Sequence, residues 1–216
     1  MSSYQEKLQT DMKRLEKMLQ RVVGKQGIGT PPSTSGEDTT RILDLACGAC
    51  NEAETLADFF SKLKNNNNEH SAKKVELLGV DVRAREIADA NRRFKSDKKS
   101  ERNLHKEYKF LTGDASKLDG HRALDEHFDV VFMRHQNFWN GKRTWEEIFE
   151  QALSKLKNDG QLVITSYFDE EHRLALDAIQ KLGGQLVDSQ RNLESRELPT
   201  AGKSVDRHVA VFRRKD

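Results

Sequence analysis

The apolar residues of this chain follow two alternating patterns. Short unbroken apolar runs begin near residues 41, 75, 108, 128 and 161, and such runs are typical of strands buried on both faces of a sheet. Most of the stretches between them carry apolar residues three and four apart, which is the spacing of an amphipathic helix. This alternation predicts an α/β fold built on a parallel sheet.

Two further apolar runs, at 185–193 and 208–213, follow the last predicted helix. The link between them shows no helical spacing, and a helix-free link favours an antiparallel pair of strands. At the other end of the chain, residues 3–23 predict an amphipathic helix, for which packing on the domain is a simpler explanation than self-association. Residues 24–40 are rich in glycine, proline and serine and predict a flexible connection.

The length and composition of the chain limit the kinds of protein that it can be. At 216 residues, of which 35% are hydrophobic and 33% charged, the chain is long enough for one core. We therefore expect a helix and linker at 1–40, followed by a single domain at 41–216. No apolar run is long enough to span a bilayer, and residues 1–10 lack the apolar centre of a signal peptide. We expect a cytoplasmic protein with no membrane partner, and the sequence leaves the oligomeric state open.

The first predicted strand ends in an acid and a tight turn. Asp44 lies at the strand end, and the small residues that follow let the backbone approach a ligand closely. A carboxylate here would repel the pyrophosphate that a dinucleotide site holds at the helix N-terminus. The turn therefore favours a ligand that carries an amino group.

Acids also end the second and third predicted strands. Asp81 lies where a carboxylate can accept hydrogen bonds from both hydroxyls of a ribose, and Asp114 closes the next strand. The spacing from Asp44 to Asp81 exceeds the ~20 residues usual in such units, because a polar asparagine-rich tract lies between them. Three acids in order, each after an apolar strand, form a more specific signal than one motif.

The stretch Asp44-Leu-Ala-Cys-Gly48 resembles motif I of the class I S-adenosylmethionine-dependent methyltransferases, D-x-G/A-x-G-x-G. Ala46 takes the first glycine position and Gly48 the second, whereas Cys50 stands where the third glycine usually lies. The resemblance covers about residues 41–213. It implies a Rossmann-like, doubly wound sheet of seven strands in the order 3-2-1-4-5-7-6, with the last strand antiparallel, and S-adenosyl-L-methionine as the cofactor.

The resemblance also implies how the cofactor is held. The backbone around Ala46 and Gly48 would position the methionine end, with Asp44 balancing its amino group, and Asp81 would hold the ribose. The implied cofactor-binding residues are Asp44, Ala46, Gly48, Asp81, Val82, Asp114, Ala115 and Arg134.

The remaining implied contacts concern the adenine and the sulfur. Val82 would pack on the adenine, and Asp114 and Ala115 would read its edge. The loop from Arg134 to Trp139 would face the sulfonium. No metal is expected, because the methyl group is already activated by the positive sulfur and the chain contributes mainly positioning.

His135 is the candidate catalytic residue. It follows the fourth strand, and a histidine has a pKa suited to removing a proton near neutrality. The alternative is a histidine that orients the loop or bonds to the backbone. The aromatic residues at these strand ends could line a pocket for a ring or a cationic amine, or could simply pack on the rim; they are Phe138, Trp139, Tyr167 and Phe168.

Two local expectations concern the later helices. Thr144, with Glu147 three residues on, predicts a capping box at the start of the fourth helix. His172 follows two glutamates at the start of the next helix, and we expect it to lie in a solvated first turn.

Cys47 and Cys50 also resemble a thioredoxin redox pair. A thioredoxin fold needs a cis-proline facing the cysteines, but the only prolines are at 31, 32 and 199, none just before a suitable strand. Zinc would call for a second cysteine pair, and the chain has only two cysteines. The sequence therefore favours neither redox catalysis nor a metal.

The methyl acceptor is left open between a small molecule and RNA. A net charge of +2 does not by itself predict nucleic-acid binding, and acids alternate with the basic residues between 92 and 109. We favour a small molecule because no recognition domain is appended. Two other classes stay open: a catalytically silent S-adenosylmethionine-binding module, and a nucleotide-dependent oxidoreductase on a similar sheet.

Overall fold

A computed structural model describes residues 3–24, 39–65, 74–94, 104–119, 122–125 and 127–215. Most of the predicted linker and of the asparagine-rich tract, and the middle of the basic stretch, lie outside the described residues.

The described residues form one large sheet and five helices. The seven strands of the sheet are β1 (Thr39–Leu45), β2 (Lys74–Asp81), β3 (His105–Thr112), β4 (Phe128–Arg134), β5 (Leu156–Ser166), β6 (Gly184–Arg191) and β9 (His208–Arg214). A two-stranded ribbon, β7 (Arg196–Glu197) and β8 (Ser204–Val205), lies in the link before β9. The helices are α1 (Ser3–Val22), α2 (Ala53–Asn65), α3 (Ala84–Arg93), α4 (Lys142–Ser154) and α5 (Asp169–Lys181), and short 3-10 turns occupy Arg122–Leu124 and Phe138–Asn140.

The predicted strand order is confirmed. The sheet runs β3-β2-β1-β4-β5-β9-β6, and β9 is the seventh of its strands along the chain. The first five strands are parallel, whereas β9 is antiparallel to both β5 and β6. The carboxyl ends of β1 to β5 therefore meet at one edge of the sheet, where ligands bind in folds of this kind.

Helices cover both faces of the sheet because each strand points alternate side chains to opposite sides. On one face Ile42 and its equivalents pack against α1, α2 and α3. On the other face Leu43 and its equivalents pack against α4 and α5. The apolar side of α1 is buried in the first of these cores, with Leu15, Leu19 and Val22 fully inaccessible. Packing on the domain, and not self-association, therefore accounts for that stripe.

Two local expectations were wrong. Helix α4 begins at Lys142 after Gly141, which has a φ of 140° and makes no side-chain cap, so Thr144 is already inside the helix. His172 and Glu171 are buried instead of solvated. The Glu171 carboxylate accepts the backbone N–H of Tyr167 at 2.9 Å and so folds inward at the start of α5.

The long apolar segments of the described chain are strands. Within the described ranges, no helix combines the length and the apolar content required to cross a membrane.

Candidate functional site

The sheet brings the three predicted acids to one edge. Leu45 pairs with Val80 and Asp81 pairs with Thr112, so the ends of β1, β2 and β3 are level. The backbone N–H of Gly113, beside Asp114, donates to the Asp81 carbonyl at 3.0 Å. The three carboxylates therefore lie in sequence along consecutive strand ends, as the sequence predicted.

The turn after β1 has a strained backbone. Ala46, Gly48 and Cys50 all adopt left-handed conformations, with φ of 56°, 57° and 47°. For a residue other than glycine this conformation costs about 1–2 kcal/mol. The turn is closed by the backbone N–H of Cys50, which donates to the Cys47 carbonyl at 2.7 Å. Strain of this kind persists where the surrounding structure enforces it, and it concentrates at ligand sites.

Asp44 has an incomplete set of hydrogen bonds. Its side chain is fully buried, and the Cys50 thiol donates to Oδ2 at 3.1 Å. Oδ1 has no hydrogen-bond partner among the described residues. Burial raises the pKa of Asp44 well above its usual value, and the nearby Glu52 carboxylate adds to the rise. A buried, unpartnered carboxylate oxygen fits a cationic donor such as the amino group of S-adenosylmethionine.

Asp81 is fully engaged by the protein. Its Oδ2 accepts the Gly48 backbone N–H at 2.7 Å, and its Oδ1 accepts the backbone N–H of Arg83 at 2.8 Å and Nε of the same residue at 3.0 Å. Burial alone would raise the pKa of this carboxyl, but the Arg83 guanidinium and the two backbone N–H groups lower it. A ribose could bind Asp81 only by displacing some of these donors, and the Arg83 side chain is 58% exposed and able to move.

Arg83 is a residue that sequence reasoning missed. One of its guanidinium nitrogens, Nη2, lies 2.5 Å from the point where a Cβ on Gly48 would stand. Arg83 therefore covers the open side of the glycine, which is the approach that the turn leaves free for a ligand. Its position two residues after Asp81 was the only signal.

The predicted adenine contacts lie on the same edge. Val82 is 65% exposed although it is apolar, which fits a surface that a flat apolar group covers. Asp114 is exposed and accepts two hydrogen bonds from Ser116, both at Oδ1, and the first of these, from the backbone N–H, lowers its pKa. Ala115 is buried in the core on the α4 side, so only its backbone is available to read a base.

Arg134, at the end of β4, connects the β1–β3 part of this edge to the part formed by β4, β5 and β9. Its Nε and Nη2 donate to the Asp206 carboxylate at 2.9 and 2.6 Å, and its Nη1 lies 3.5 Å from Glu52 Oε2. Both carboxylates are buried. The guanidinium thus joins the turn after β1 to the chain entering β9, and a direct contact between Arg134 and a cofactor stays a prediction.

Asp206 is the second residue that sequence reasoning missed. It is fully buried with a φ of 51°, and it accepts the Thr165 hydroxyl at 2.9 Å in addition to Arg134. Burial would raise the pKa of Asp206, but the charges of Arg134 and His135 outweigh it and hold the pKa well below its usual range. Nothing in the local sequence pattern marks this residue, because its partners come from strands far along the chain.

His135 lies against this buried carboxylate. Its Nε2 accepts the backbone N–H of Asp206 at 3.1 Å and lies 2.8 Å from Asp206 Oδ1, and the φ of His135 is 62°. The imidazole stacks on Tyr167 with ring centroids 3.9 Å apart. Nδ1 has no partner in the part of the chain that the structure describes. Nδ1 can accept a proton in the tautomer in which Nε2–H is directed at Asp206 Oδ1 and no longer accepts the Asp206 backbone N–H.

The predicted aromatic residues divide into core and rim. Phe138 is buried and stacks on Phe149, so it belongs to the core. Trp139 is 51% exposed and meets Phe168 edge to face at 6.4 Å. Lys203 Nζ lies 4.4 Å from the Tyr167 ring centroid. The rim beside His135 is therefore aromatic and carries a cation.

Comparison with known proteins agrees with this geometry. Residues 37–209 match the sequence model of a family described as "Methyltransferase domain". No curated protein matches the chain.

Solved structures of methyltransferases share the fold. An S-adenosylmethionine-dependent methyltransferase from Clostridium acetobutylicum superposes with a TM-score of 0.64 at 10% identity, covering 94% of this chain and 92% of that one. The N-methyltransferase NodS from Bradyrhizobium japonicum gives 0.57 at 16% identity over 96% of this chain and 98% of its own. A second NodS structure, in complex with S-adenosyl-L-homocysteine, gives 0.53 at 17% identity over 82% and 79%.

Proposed function

Because the chain belongs to the class I S-adenosylmethionine-dependent methyltransferases, we propose that it transfers the methyl group of that cofactor to a small-molecule acceptor. This membership sets aside the nucleotide-dependent oxidoreductase that the sequence left open. A catalytically silent module would bind the cofactor without transferring its methyl group, and a transfer assay distinguishes the two. The residue assignments rest on one observation: Asp44, Asp81 and Asp114 lie at the ends of consecutive strands.

In this proposal the chain holds each part of the cofactor with a different strand end. Asp44 binds the amino group through its unpartnered Oδ1, and the left-handed turn through Ala46 and Gly48 supplies backbone close to the methionine end. Asp81 binds the ribose hydroxyls once the Arg83 side chain has moved away. These contacts combine a charge pair with charge-assisted hydrogen bonds, which are the stronger classes of polar contact.

The adenine side completes the binding. Val82 covers one face of the ring, while Asp114 and the backbone of Ala115 bond to its edge. Asp114 has Oδ2 available for this role, since both of its hydrogen bonds to Ser116 use Oδ1. The apolar face gives affinity, and the edge contacts give selectivity for the base.

The reaction depends on positioning and on one proton. S-adenosyl-L-methionine supplies a methyl group already activated by a positive sulfur. The chain aligns the acceptor with it and, where the acceptor carries a proton, His135 takes that proton at Nδ1. Asp206 holds Nε2 of the same ring and stabilises the imidazolium that forms, while Arg134 keeps Asp206 ionised. Asp206 is a positioning residue here, because its carboxylate acts through His135.

Two observations support a small molecule over RNA. In the described part of the basic stretch, three cations are already paired with carboxylates, Arg92 with Asp89, Lys106 with Asp58 and Lys109 with Glu107, and Arg93 donates to Asn51 and to the Ala49 carbonyl. A phosphate backbone binds cations that are free to neutralise it, and it releases its own condensed counterions as they do so. The exposed ring of Trp139 suits a single aromatic ring instead, since His135 and Lys203 already cover the ring of Tyr167.

We also propose that the protein works in the cytoplasm. Cys47 and Cys50 are free thiols, which agrees with a reducing compartment.

The test is a transfer assay with a labelled methyl group. The purified chain is incubated with methyl-labelled cofactor and either a small-metabolite extract or total RNA, and products are identified by mass spectrometry. Label in a small molecule supports the proposal, and label in RNA alone overturns the acceptor class. Binding of S-adenosylhomocysteine without transfer to either pool would favour the silent module.

A further inference from the structure

We propose that Asp44, Cys47 and Cys50 form a binding site for a thiophilic divalent cation such as Zn²⁺, and that this cation excludes the cofactor. The cation site stands on geometry alone. The exclusion rests on the proposed function, because it requires Asp44 to bind the methionine end of the cofactor.

The three potential ligands already face one another. One oxygen of Asp44 and the sulfurs of Cys47 and Cys50 lie within 4.8 Å of one another, and all three residues are buried. Zinc binds sulfur at about 2.3 Å and carboxylate oxygen at about 2.0–2.2 Å, so two sulfurs on a tetrahedral ion are about 3.8 Å apart. The cluster therefore needs to contract by no more than about 1 Å to close around an ion.

A glycine on the neighbouring strand makes room for both sulfurs. A Cβ on Gly79 of β2 would stand 2.9 Å from Cys47 Sγ and 3.2 Å from Cys50 Sγ. Any larger residue would push the sulfurs apart or out of the cluster. The two thiols therefore converge on one point beside β2, which is a separate observation from the spacing of the cysteines.

The site is short of a positive charge. Asp44 Oδ1 is buried and has no partner among the described residues, although Glu52 and Asp81 place further negative charge nearby. Arg134 is the cation between the two halves of the edge, and its guanidinium is bound to Asp206 and Glu52. A buried carboxylate with one oxygen against a thiol and the other without a donor is a place where a divalent cation gains its ligands without displacing an existing ion pair.

The fold supplies the ligand that the sequence lacked. Sequence spacing offers two thiols, and two are too few for zinc. The turn carries Cys47 and Cys50 back over the end of β1, so that Asp44 becomes the third ligand. A set of three protein ligands leaves a fourth position for water, as in zinc sites that stay open to solvent.

Metal binding and cofactor binding use the same carboxylate. As the two metal–sulfur bonds form, each thiol releases its proton to solvent, and the Asp44 carboxylate, whose Oδ2 already lies 3.1 Å from Cys50 Sγ, binds the metal and pairs its charge with it. Asp44 can then no longer pair with an amino group. The expected consequence is competitive inhibition of the methyltransferase by thiophilic cations, while Mg²⁺, which prefers oxygen ligands, has no such effect.

The experiment is a titration of the metal-free full chain with Co²⁺ as a spectroscopic stand-in for Zn²⁺. We expect one equivalent to give a thiolate-to-cobalt charge-transfer band and the visible bands of a tetrahedral ion, both removed by Zn²⁺. The band reports sulfur ligation in the wild-type chain itself, so the test does not depend on whether a variant folds. Absence of the band overturns the site.

Variants identify the ligands. C47S/C50S should lose the band, and Asp44→Asn should weaken Co²⁺ binding by at least tenfold. The matched control is Asp58→Asn, because Asp58 lies on α2 and pairs with Lys106 outside the cluster. An unchanged affinity in Asp44→Asn overturns the three-ligand site.

A competition experiment separates the two proposals. Isothermal titration with S-adenosylhomocysteine is performed on metal-free and Zn²⁺-loaded wild type and on C47S/C50S. We expect Zn²⁺ to reduce cofactor affinity in the wild type and to have no effect on C47S/C50S. Simultaneous binding of Zn²⁺ and S-adenosylhomocysteine to the wild type overturns the exclusion, whereas failure of the metal-free protein to bind S-adenosylhomocysteine overturns the proposed function instead.

Discussion

Asp44 and Asp206 are both fully buried aspartates at the same edge of the sheet, and their surroundings shift their pKa values in opposite directions. Burial and Glu52 raise the pKa of Asp44, and one of its oxygens has no partner among the described residues. Burial also acts on Asp206, yet Arg134 and His135 lower its pKa well below the usual range. Within the described protein, the Asp44 carboxylate therefore lacks a hydrogen-bond partner for one oxygen, whereas the Asp206 carboxylate has both hydrogen-bond and charge partners.

This difference separates a ligand site from its support. A buried charge costs several kcal/mol unless it is paired, so a group left unpaired marks the place where a ligand supplies the missing charge. Asp206 already has its charge partner in Arg134, so it stabilises the fold and orients His135. We therefore propose that the part of the edge formed by β1 to β3 binds the cofactor, and that the part formed by β4, β5 and β9 positions His135.

The largest expected effect is on stability, and it separates the two aspartates. Asp206→Asn leaves the Arg134 charge without its main partner in a buried site, and we expect the free energy of unfolding to fall by about 3–5 kcal/mol. Asp44→Asn replaces a carboxyl whose pKa is already raised by burial with a neutral amide of the same shape, and we expect a change below about 1 kcal/mol. Urea denaturation of both variants measures this, and equal losses would contradict the comparison.

The next effect concerns catalysis. His135→Asn removes the proposed base, and we expect kcat to fall by about 100-fold or more, with little change in the affinity for S-adenosylhomocysteine. Asp206→Glu keeps a carboxylate but displaces it, and the pH profile of kcat should then shift because the histidine is held differently. A kcat for His135→Asn within a few-fold of the wild-type value would assign His135 to orienting the loop.

Cofactor affinity tests the binding half. Asp81→Asn should weaken S-adenosylhomocysteine binding by about 10- to 100-fold, because each charge-assisted hydrogen bond to a ribose hydroxyl is worth about 1.5–3 kcal/mol. The matched variant Asp114→Asn changes an exposed acid and should cost less. Calorimetric titration measures both, and unaltered affinity in Asp81→Asn would remove this residue from the site.

The last effect is a pH dependence of stability that arises outside the site. Burial, reinforced by the charge of His208, lowers the pKa of His172 to about 3 from 6.5, so the unfolded chain takes up a proton before the folded one does. Stability contributed by the neutral ring is complete above about pH 6.5 and is lost as the pH falls, by about 1.4 kcal/mol per unit. His172→Gln should reduce this slope between pH 6.5 and 5, and an identical slope would show that other groups cause it.

The sequence indicated candidate site residues that a local pattern marks. Asp44, Asp81 and Asp114 each end an apolar run, and parallel strands bring such ends together. The burial of α1 was predicted for a similar reason, since the apolar pattern determines which faces must be covered. The strand order came instead from the resemblance to the methyltransferase family. Periodicity therefore located the strand ends where we propose that the cofactor binds.

On the side of β4, β5 and β9, the sequence indicated Arg134 and His135 but not Asp206, whose contacts are long-range. Asp206 follows the helix-free link and meets Arg134 and Thr165 from two other strands. His172 was expected in solvent because glutamates precede it, but Ser189 on β6 bonds to its Nε2 at 2.9 Å and keeps it buried. A tertiary contact outweighed the local signal in both cases.

The direct test of the account is the affinity of S-adenosylhomocysteine for Asp44→Asn, measured by calorimetry in buffers of different ionisation enthalpy. If the unpartnered carboxylate binds the amino group, the wild type should release protons on binding, because the ligand's charge lowers the raised pKa of Asp44. The variant should bind about 100-fold more weakly, the range found when one partner of a buried charge pair is removed, without that proton release. Equal affinity and equal proton release in the two proteins would contradict the account.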